Sequence, residues 1–165
     1  MNILYLDVCC LNRPFDDQSQ NRVRLEAKAV VLILSNLEGH EWQGINSDAI
    51  VQEISQSPDS DHRQRVTIMT EDFAPYIEAD ETVGDRAQEL IGFGFHAMDA
   101  LHLACAEKGQ ATAFLTTDDQ LLRRARRTAH RLLIRVENPL TWLQGEIENE
   151  DIGRYSTGGL GGSET

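Results

Sequence analysis

Four acidic residues stand where the surrounding pattern favours apolar side chains: Asp7, Glu53, Asp99 and Asp118. Asp99 lies in AMDALHLACA, among Ala97, Met98, Ala100, Leu101, Leu103, Ala104, Cys105 and Ala106. A helix apolar all round is a buried helix. A buried carboxylate is costly unless it is paired, hydrogen-bonded or bound to a metal. The competing reading of Asp99 is a first-turn carboxylate helping to cap its helix. Glu53, in SDAIVQEIS, has Ala49, Ile50 and Ile54 as helical neighbours, which puts it near the inward face. Asp48, five residues earlier, lies about 140° away around such a helix, so it reads as a cap and cannot easily serve the same point. The competing reading of Glu53 is an acid snorkelling at the boundary. Asp7 ends an apolar run, and its competing reading is a turn residue. Asp118 and Asp119 follow FLTT and precede QLLRRA, where Thr117 or Asp118 is also an ordinary helix cap.

Four carboxylates facing one point cannot all stay ionised without a cation. Hard oxygen ligands suit Mg²⁺ or Mn²⁺ rather than zinc. Cations of this class acidify water and neutralise charge developing on a phosphate. The chemistry on offer is therefore phosphodiester hydrolysis without a covalent protein nucleophile.

The elements that must position these acids alternate between short apolar runs and helical patterns. Strands are expected at 3–6, 44–46, 76–79, 113–115 and 132–136. Helices are expected at 19–37, from Ser47 or Asp48 to 56, from Asp59 or Ser60 to 70, and at 82–91, 97–108 and 118–128, with a last one opening at Pro139. Strands separated by helices imply a parallel sheet built from right-handed crossovers, with helices on both faces. Ligands of such open sheets bind beyond the carboxyl ends of the strands. Two of the expected strands run into an acid there, LYL into Asp7 and FLTT into Asp118.

The 165 residues carry a net charge of -12, with 41% hydrophobic and 25% charged residues. This is globular composition and one domain's length, enough to bury about two thirds of the unfolded surface. No apolar run is long enough to cross a bilayer. MNILYLD has no basic region and meets an acid at position 7, unlike a signal peptide. The acidity argues against a protein that coats DNA. Positive charge is dense only in Arg123, Arg124, Arg126, Arg127, Arg131 and Arg135. Cys9, Cys10 and Cys105 lack metal-ligand spacing and read as small buried apolar side chains in a reducing cytoplasm. Residues 1–145 read as the folded domain. Residues 146–165, acidic and then glycine-rich, read as a disordered tail.

In their order along the chain, these segments resemble the PIN-domain family of metal-dependent nucleases. LYLD at 4–7, SDAIVQEI at 47–54, MDALHLACA at 98–106 and FLTTDDQLLRRA at 114–125 are similar to its four acid-bearing segments, and the NP at 138–139 also fits. The resemblance covers about residues 1–143, and the small bacterial members nearest in length are VapC-like toxins. It implies a three-layer α/β/α sandwich with a central parallel sheet and Mg²⁺- or Mn²⁺-dependent hydrolysis of RNA. Asp7, Asp99 and Asp118 would hold one or two cations, with Glu53 completing the set directly or through water. It also implies a homodimer and a small antitoxin partner, and no membrane.

Thr117 and Asp119 would support the carboxylates from behind. Asn12, Arg13, Arg123 and Arg124 are the candidates for substrate phosphate. His102 reads as a core or pairing residue rather than a base. One departure stands out: many members carry a small hydroxyl residue directly after the first Asp, and here it is Val8. That favours an alternative, the same fold with an impaired site that binds RNA or a protein. Other phosphate-ester enzymes fit less well. Position 9 is cysteine where a dehalogenase-type phosphatase needs its second Asp, and no GxxxxGK[ST] loop is present.

Overall fold

The computed structural model describes the backbone of residues 1–157 and the side chains of residues 1–150. The chain begins with β1 (Ile3–Leu6), a short α1 (Val8–Asn12) and a 3-10 turn (Arg13–Phe15), followed by α2 (Asn21–Glu38). Next come β2 (Gln43–Gly44), β3 (Asn46–Ser47), α3 (Asp48–Gln56), α4 (Ser60–Thr70) and β4 (Tyr76–Ile77). The second half holds α5 (Glu81–Gly92), α6 (Ala97–Lys108), β5 (Ala113–Leu115), α7 (Asp119–Arg127), β6 (Arg135–Glu137) and α8 (Pro139–Thr157).

The main sheet has the order β2-β1-β5-β6, with every pair parallel. Helices flank it, α2 packing with α8, and α6 with α5 and α3. This is the expected α/β/α architecture. The chain leaves β1 toward β2 on one side and later returns to β5 on the other, so the strand order reverses between β1 and β5. In open parallel sheets that reversal opens a crevice at the carboxyl ends. Asp7 sits at this edge, its N–H donating to the Leu115 carbonyl at 2.9 Å.

The strand expected at 44–46 is divided. β2 pairs with β1 in the main sheet, whereas β3 pairs with β4 in a second, two-stranded sheet. The switch falls at Ile45, whose N–H still donates to Leu4, while the Asn46 N–H donates to Pro75. Ile45 is fully buried, and a Cβ on Gly109 would lie 2.7 Å from its Cδ1, so a larger residue at the end of α6 would force the Ile45 side chain to shift.

The core explains why the sheet is rigid where the acids emerge. Leu4, Tyr5, Leu6, Phe114 and Leu115 from the two central strands are all at most 1% exposed. Ala100, Leu103, Ala104, Cys105 and Ala106 bury α6 against them. Each fully buried leucine contributes about 2 kcal/mol of transfer free energy. Trp142 of α8 meets Trp42 edge to face, with ring centroids 5.1 Å apart.

The tail departs from expectation. α8 continues through the acidic stretch to Thr157 with no break at 145, and the Asn2 amide donates to Glu146 at 3.0 Å. Glutamates favour helix well enough for a packed helix to run on through them. The glycine-rich residues 158–165 of the expected disordered tail lie outside the described residues.

Candidate metal centre

Asp7 caps α1, with its Oδ1 accepting from the Val8 N–H at 2.9 Å. Its Oδ2 accepts from the Thr116 hydroxyl at 2.8 Å and from the Cys9 thiol at 3.4 Å. The same Thr116 oxygen accepts from the Asp118 N–H at 3.1 Å, so one hydroxyl ties the end of β1 to the start of α7. Asp118 is the cap of α7, accepting from the Gln120 and Leu121 N–H groups at 2.9 and 3.3 Å, and it remains exposed. Of the two possible caps, Asp118 rather than Thr117 takes that place.

Glu53 comes from α3, whose cap is Ser47: its Oγ accepts from the Ile50 N–H at 3.1 Å. Asp48 instead accepts from the Tyr76 hydroxyl and from the Ala79 N–H, fastening α3 to the small sheet. It does not share a point with Glu53, as the helical angle required. Glu53 Oε1 accepts from His102 Nε2 at 2.9 Å, and the Asp7, Glu53 and His102 ligand atoms all lie within 4.8 Å of one another.

Asp99 sits in the first turn of α6 and is half-buried. It makes no capping hydrogen bond among the described residues, and the cap position, His96, makes none either. The capping reading of Asp99 therefore loses its support. Burial raises its pKa to about 6, reinforced by the charges of Asp7 and Asp118. Burial likewise raises Asp7, with Glu53 adding to the effect. For His102, burial opposes protonation. The Glu53 hydrogen bond and the Asp7, Glu53 and Asp99 charges outweigh it, and the His102 pKa ends above its ordinary value.

The four acids are thus electrostatically joined. Two like charges 4.8 Å apart, the outer limit for Asp7 and Glu53, repel by about 3 kcal/mol at an effective dielectric constant of about 20. The Val8, Thr116 and Cys9 hydrogen bonds to Asp7 and the His102 hydrogen bond to Glu53 offset part of this. The Asp7, Glu53 and His102 group could hold a metal ion, and its carboxylates are donors that a hard divalent cation takes.

Several expected supporting residues lie elsewhere. Thr116, not Thr117, holds the Asp7 carboxylate. Thr117 is two residues beyond the strand end, and its N–H donates to Cys9 Sγ at 3.4 Å. Asp119 is held in a two-pronged pair by Arg22, both contacts at 2.7 Å, on the solvent side of α7. Arg13 is bound to Asp16 at 3.1 Å and to Glu26 at 3.0 Å, so it is not free for a phosphate. Asn12 is half-buried, with an Oδ1 that has no partner among the described residues. Arg124 is half-buried, while Arg123 is exposed on the α7 face that carries Asp119. Of the arginine-rich segment, Arg131 lies over the Phe93 ring at 4.5 Å and Arg135 pairs with Glu137 at 2.7 Å.

The sequence reading passed over three residues. Thr116 falls between the expected strand at 113–115 and the expected helix at 118–128 and is given no role. Cys9 was grouped with the buried thiols, but it is only half-buried and touches Asp7; Cys10 and Cys105 are buried and free as expected. Glu26 is 1% exposed on α2, a periodicity signal that was available. It meets Arg13 at 3.0 Å, Arg22 at 3.4 Å and the Asn138 amide.

The fold has a solved counterpart. Over 81% of this chain and 98% of the other, it is similar to a chain of VapBC2 from Rickettsia felis, bound to a DNA fragment from their promoter, with a TM-score of 0.50 and 15% identity. That likeness concerns the fold. No family model and no curated protein matches the sequence. Among the described residues, no helix is long and apolar enough to cross a membrane.

Proposed function

We propose that the protein is a divalent-metal-dependent ribonuclease of the VapC-like PIN class, acting on RNA phosphodiester bonds in the cytoplasm. The observation that supports this reading is the Asp7, Glu53 and His102 group beyond β1, with ligand atoms within 4.8 Å of one another, together with the burial and the Asp7 and Asp118 charges that raise Asp99. Residues 1–145 would carry the activity. Asp7, Asp99 and Asp118 would hold Mg²⁺ or Mn²⁺, with Glu53 completing the set directly or through water. When bound, the cation supplies an acidified water and neutralises charge on the phosphate.

The chain's own residues do the rest. Thr116 and the Val8 N–H fix the two oxygens of Asp7, so its carboxylate is oriented before anything binds. The α7 N-terminus fixes Asp118 in the same way. Exposed Arg123, with Arg126 and Arg127 further along α7, would offer a cationic surface to an RNA backbone. A homodimer and a small antitoxin belong to the same proposal, the latter supported by the two-component neighbour.

Val8 motivates the second reading, an impaired module that binds without turnover. The Thr116 hydroxyl and the Cys9 thiol on Asp7 Oδ2 weigh against it, because polar support for the carboxylate arrives from β5 and from one residue further on. Incubating mixed RNA with the purified protein separates the two. Cleavage with Mn²⁺ or Mg²⁺ that a chelator stops is the expected result. Binding without cleavage under both conditions would replace the nuclease with the module.

A further inference from the structure

His102 lies close enough to Asp7 and Glu53 to be taken for a third ligand. Its hydrogen bonds point to another role. Nε2 is 2.9 Å from Glu53 Oε1, and Nδ1 is 2.6 Å from the Tyr5 hydroxyl. The Tyr5 hydroxyl is in turn 2.7 Å from Ser47 Oγ, the cap of α3. Tyr5, Ser47 and His102 are all fully buried.

An ionised carboxylate can only accept hydrogen bonds, so Nε2 carries the hydrogen whether the ring is neutral or cationic. A neutral ring then accepts a hydrogen bond from the Tyr5 hydroxyl at Nδ1; a cationic ring donates one from Nδ1 to the Tyr5 oxygen. In both states Nε2 has no lone pair for a metal, and Nδ1 is engaged inside the core. Tyr5 cannot swing away, because its ring stacks on Phe114 at 5.1 Å and meets His102 edge-on at 5.6 Å.

We infer that His102 is a positioning residue that holds Glu53 toward the metal centre, itself oriented by Tyr5 and Ser47, and that it is not a metal ligand. The inference rests on the metal-dependent reading above. The contacts close a ring: α3 leads through Glu53 to His102 on α6, through Tyr5 on β1, and back to α3 at Ser47. Glu53 is otherwise a half-exposed side chain with three free torsions, and ordering such a side chain costs conformational entropy. The relay pays that cost during folding, so Glu53 is already in place when a cation arrives.

The test uses the full chain and Mn²⁺ as probe. Calorimetric titration gives Mn²⁺ affinity, and electron spin echo spectroscopy reports whether nitrogen is bound to the metal. Expected is no directly coordinated nitrogen in the wild type. Tyr5→Phe, which keeps the ring and its stacking, and His102→Ala should each weaken Mn²⁺ binding about 10–100-fold. His102→Gln, whose amide can still donate to Glu53, should recover most of the loss. In metal-free, ¹⁵N-histidine-labelled protein, NMR should show a hydrogen-bonded proton on His102 Nε2. A coordinated nitrogen, an unprotonated Nε2, or wild-type affinity in Tyr5→Phe would each overturn the inference while leaving the metal centre standing. A wild type that binds no Mn²⁺ would overturn the metal-dependent reading and this inference together.

Discussion

Two regions of this molecule bury carboxylates, and they do so in opposite ways. Glu26 on α2 is the more enclosed, at 1% exposure, yet it is surrounded by Arg13, Arg22 and the Asn138 amide. Asp7 and Asp99, at the β1–β5 edge, lie among other carboxylates, with His102, already engaged with Glu53, and, for Asp99, His96 as the histidines that act on them. Burial alone therefore does not mark a functional acid. What distinguishes the second region is that the fold supplies too little positive charge for the negative charge it assembles. A buried pair that compensates itself is structure, whereas an uncompensated cluster at a strand-order reversal is a place for something positive.

That contrast can be broken most decisively at Asp99. If Asp99 holds the cation as proposed, Asp99→Asn should lower metal-dependent RNA cleavage at least about a hundredfold. The metal-free variant should unfold at a higher temperature than wild type at neutral pH, because a repelled charge has gone. Unchanged cleavage would remove Asp99 from the site, and a less stable variant would mean that its charge is compensated after all.

Glu26→Gln should behave in the reverse sense. It leaves Arg13 and Arg22 without their carboxylate and should cost about 2–4 kcal/mol of stability in a denaturant titration. Mn²⁺ affinity should be untouched. A selective loss of Mn²⁺ binding would show that the two regions are coupled.

The pH dependence of stability sharpens the same difference. Asp99 has a folded-state pKa of about 6, above its ordinary value near 4. The unfolded chain therefore loses this proton first as pH rises. Stability from this group is full below about pH 4 and is lost as pH climbs through about 6. In the metal-free protein, the melting-temperature gap between Asp99→Asn and wild type should widen from pH 4.5 to pH 7.5. Saturating Mn²⁺ should shrink the gap or reverse it. A gap that stays constant across this range would mean that the acid is not perturbed.

The smallest effect is expected at Asp119. Its pair with Arg22 is exposed to solvent and screened by it. Asp119→Asn should shift the melting temperature less than either variant above and leave the cleavage rate at its wild-type value. A large loss of cleavage would place Asp119 inside the site.

Much of this organisation was legible in the chain. An acid inside AMDALHLACA can be read without a structure, because an all-apolar helix leaves a carboxylate nowhere inexpensive to go. The strand–helix alternation gave the parallel sheet, and the helical angle between Asp48 and Glu53 separated the fastener from the site acid. Other features were not legible. Thr116 and Thr117 are adjacent hydroxyl residues of one type, and only the end of β5 decides which of them reaches Asp7. Asp118 and Asp119 are identical in chemistry, and the α7 cap separates them. Arg13 looked available until Glu26 was placed beside it across 13 residues of chain.

By itself, then, the sequence determined which side chains would be hard to bury and which strands would deliver them to one edge, since hydrophobic period and local capping depend on near neighbours. Only the tertiary structure decided how charge was compensated. It gave arginines to Glu26 and Asp119, a hydroxyl and a thiol to Asp7, a histidine relay to Glu53, and no hydrogen-bonding partner among the described residues to Asp99. The reason is physical: compensation depends on distances between residues far apart in the chain, and those are fixed only when β1 and β5 lie side by side and α3 packs on α6.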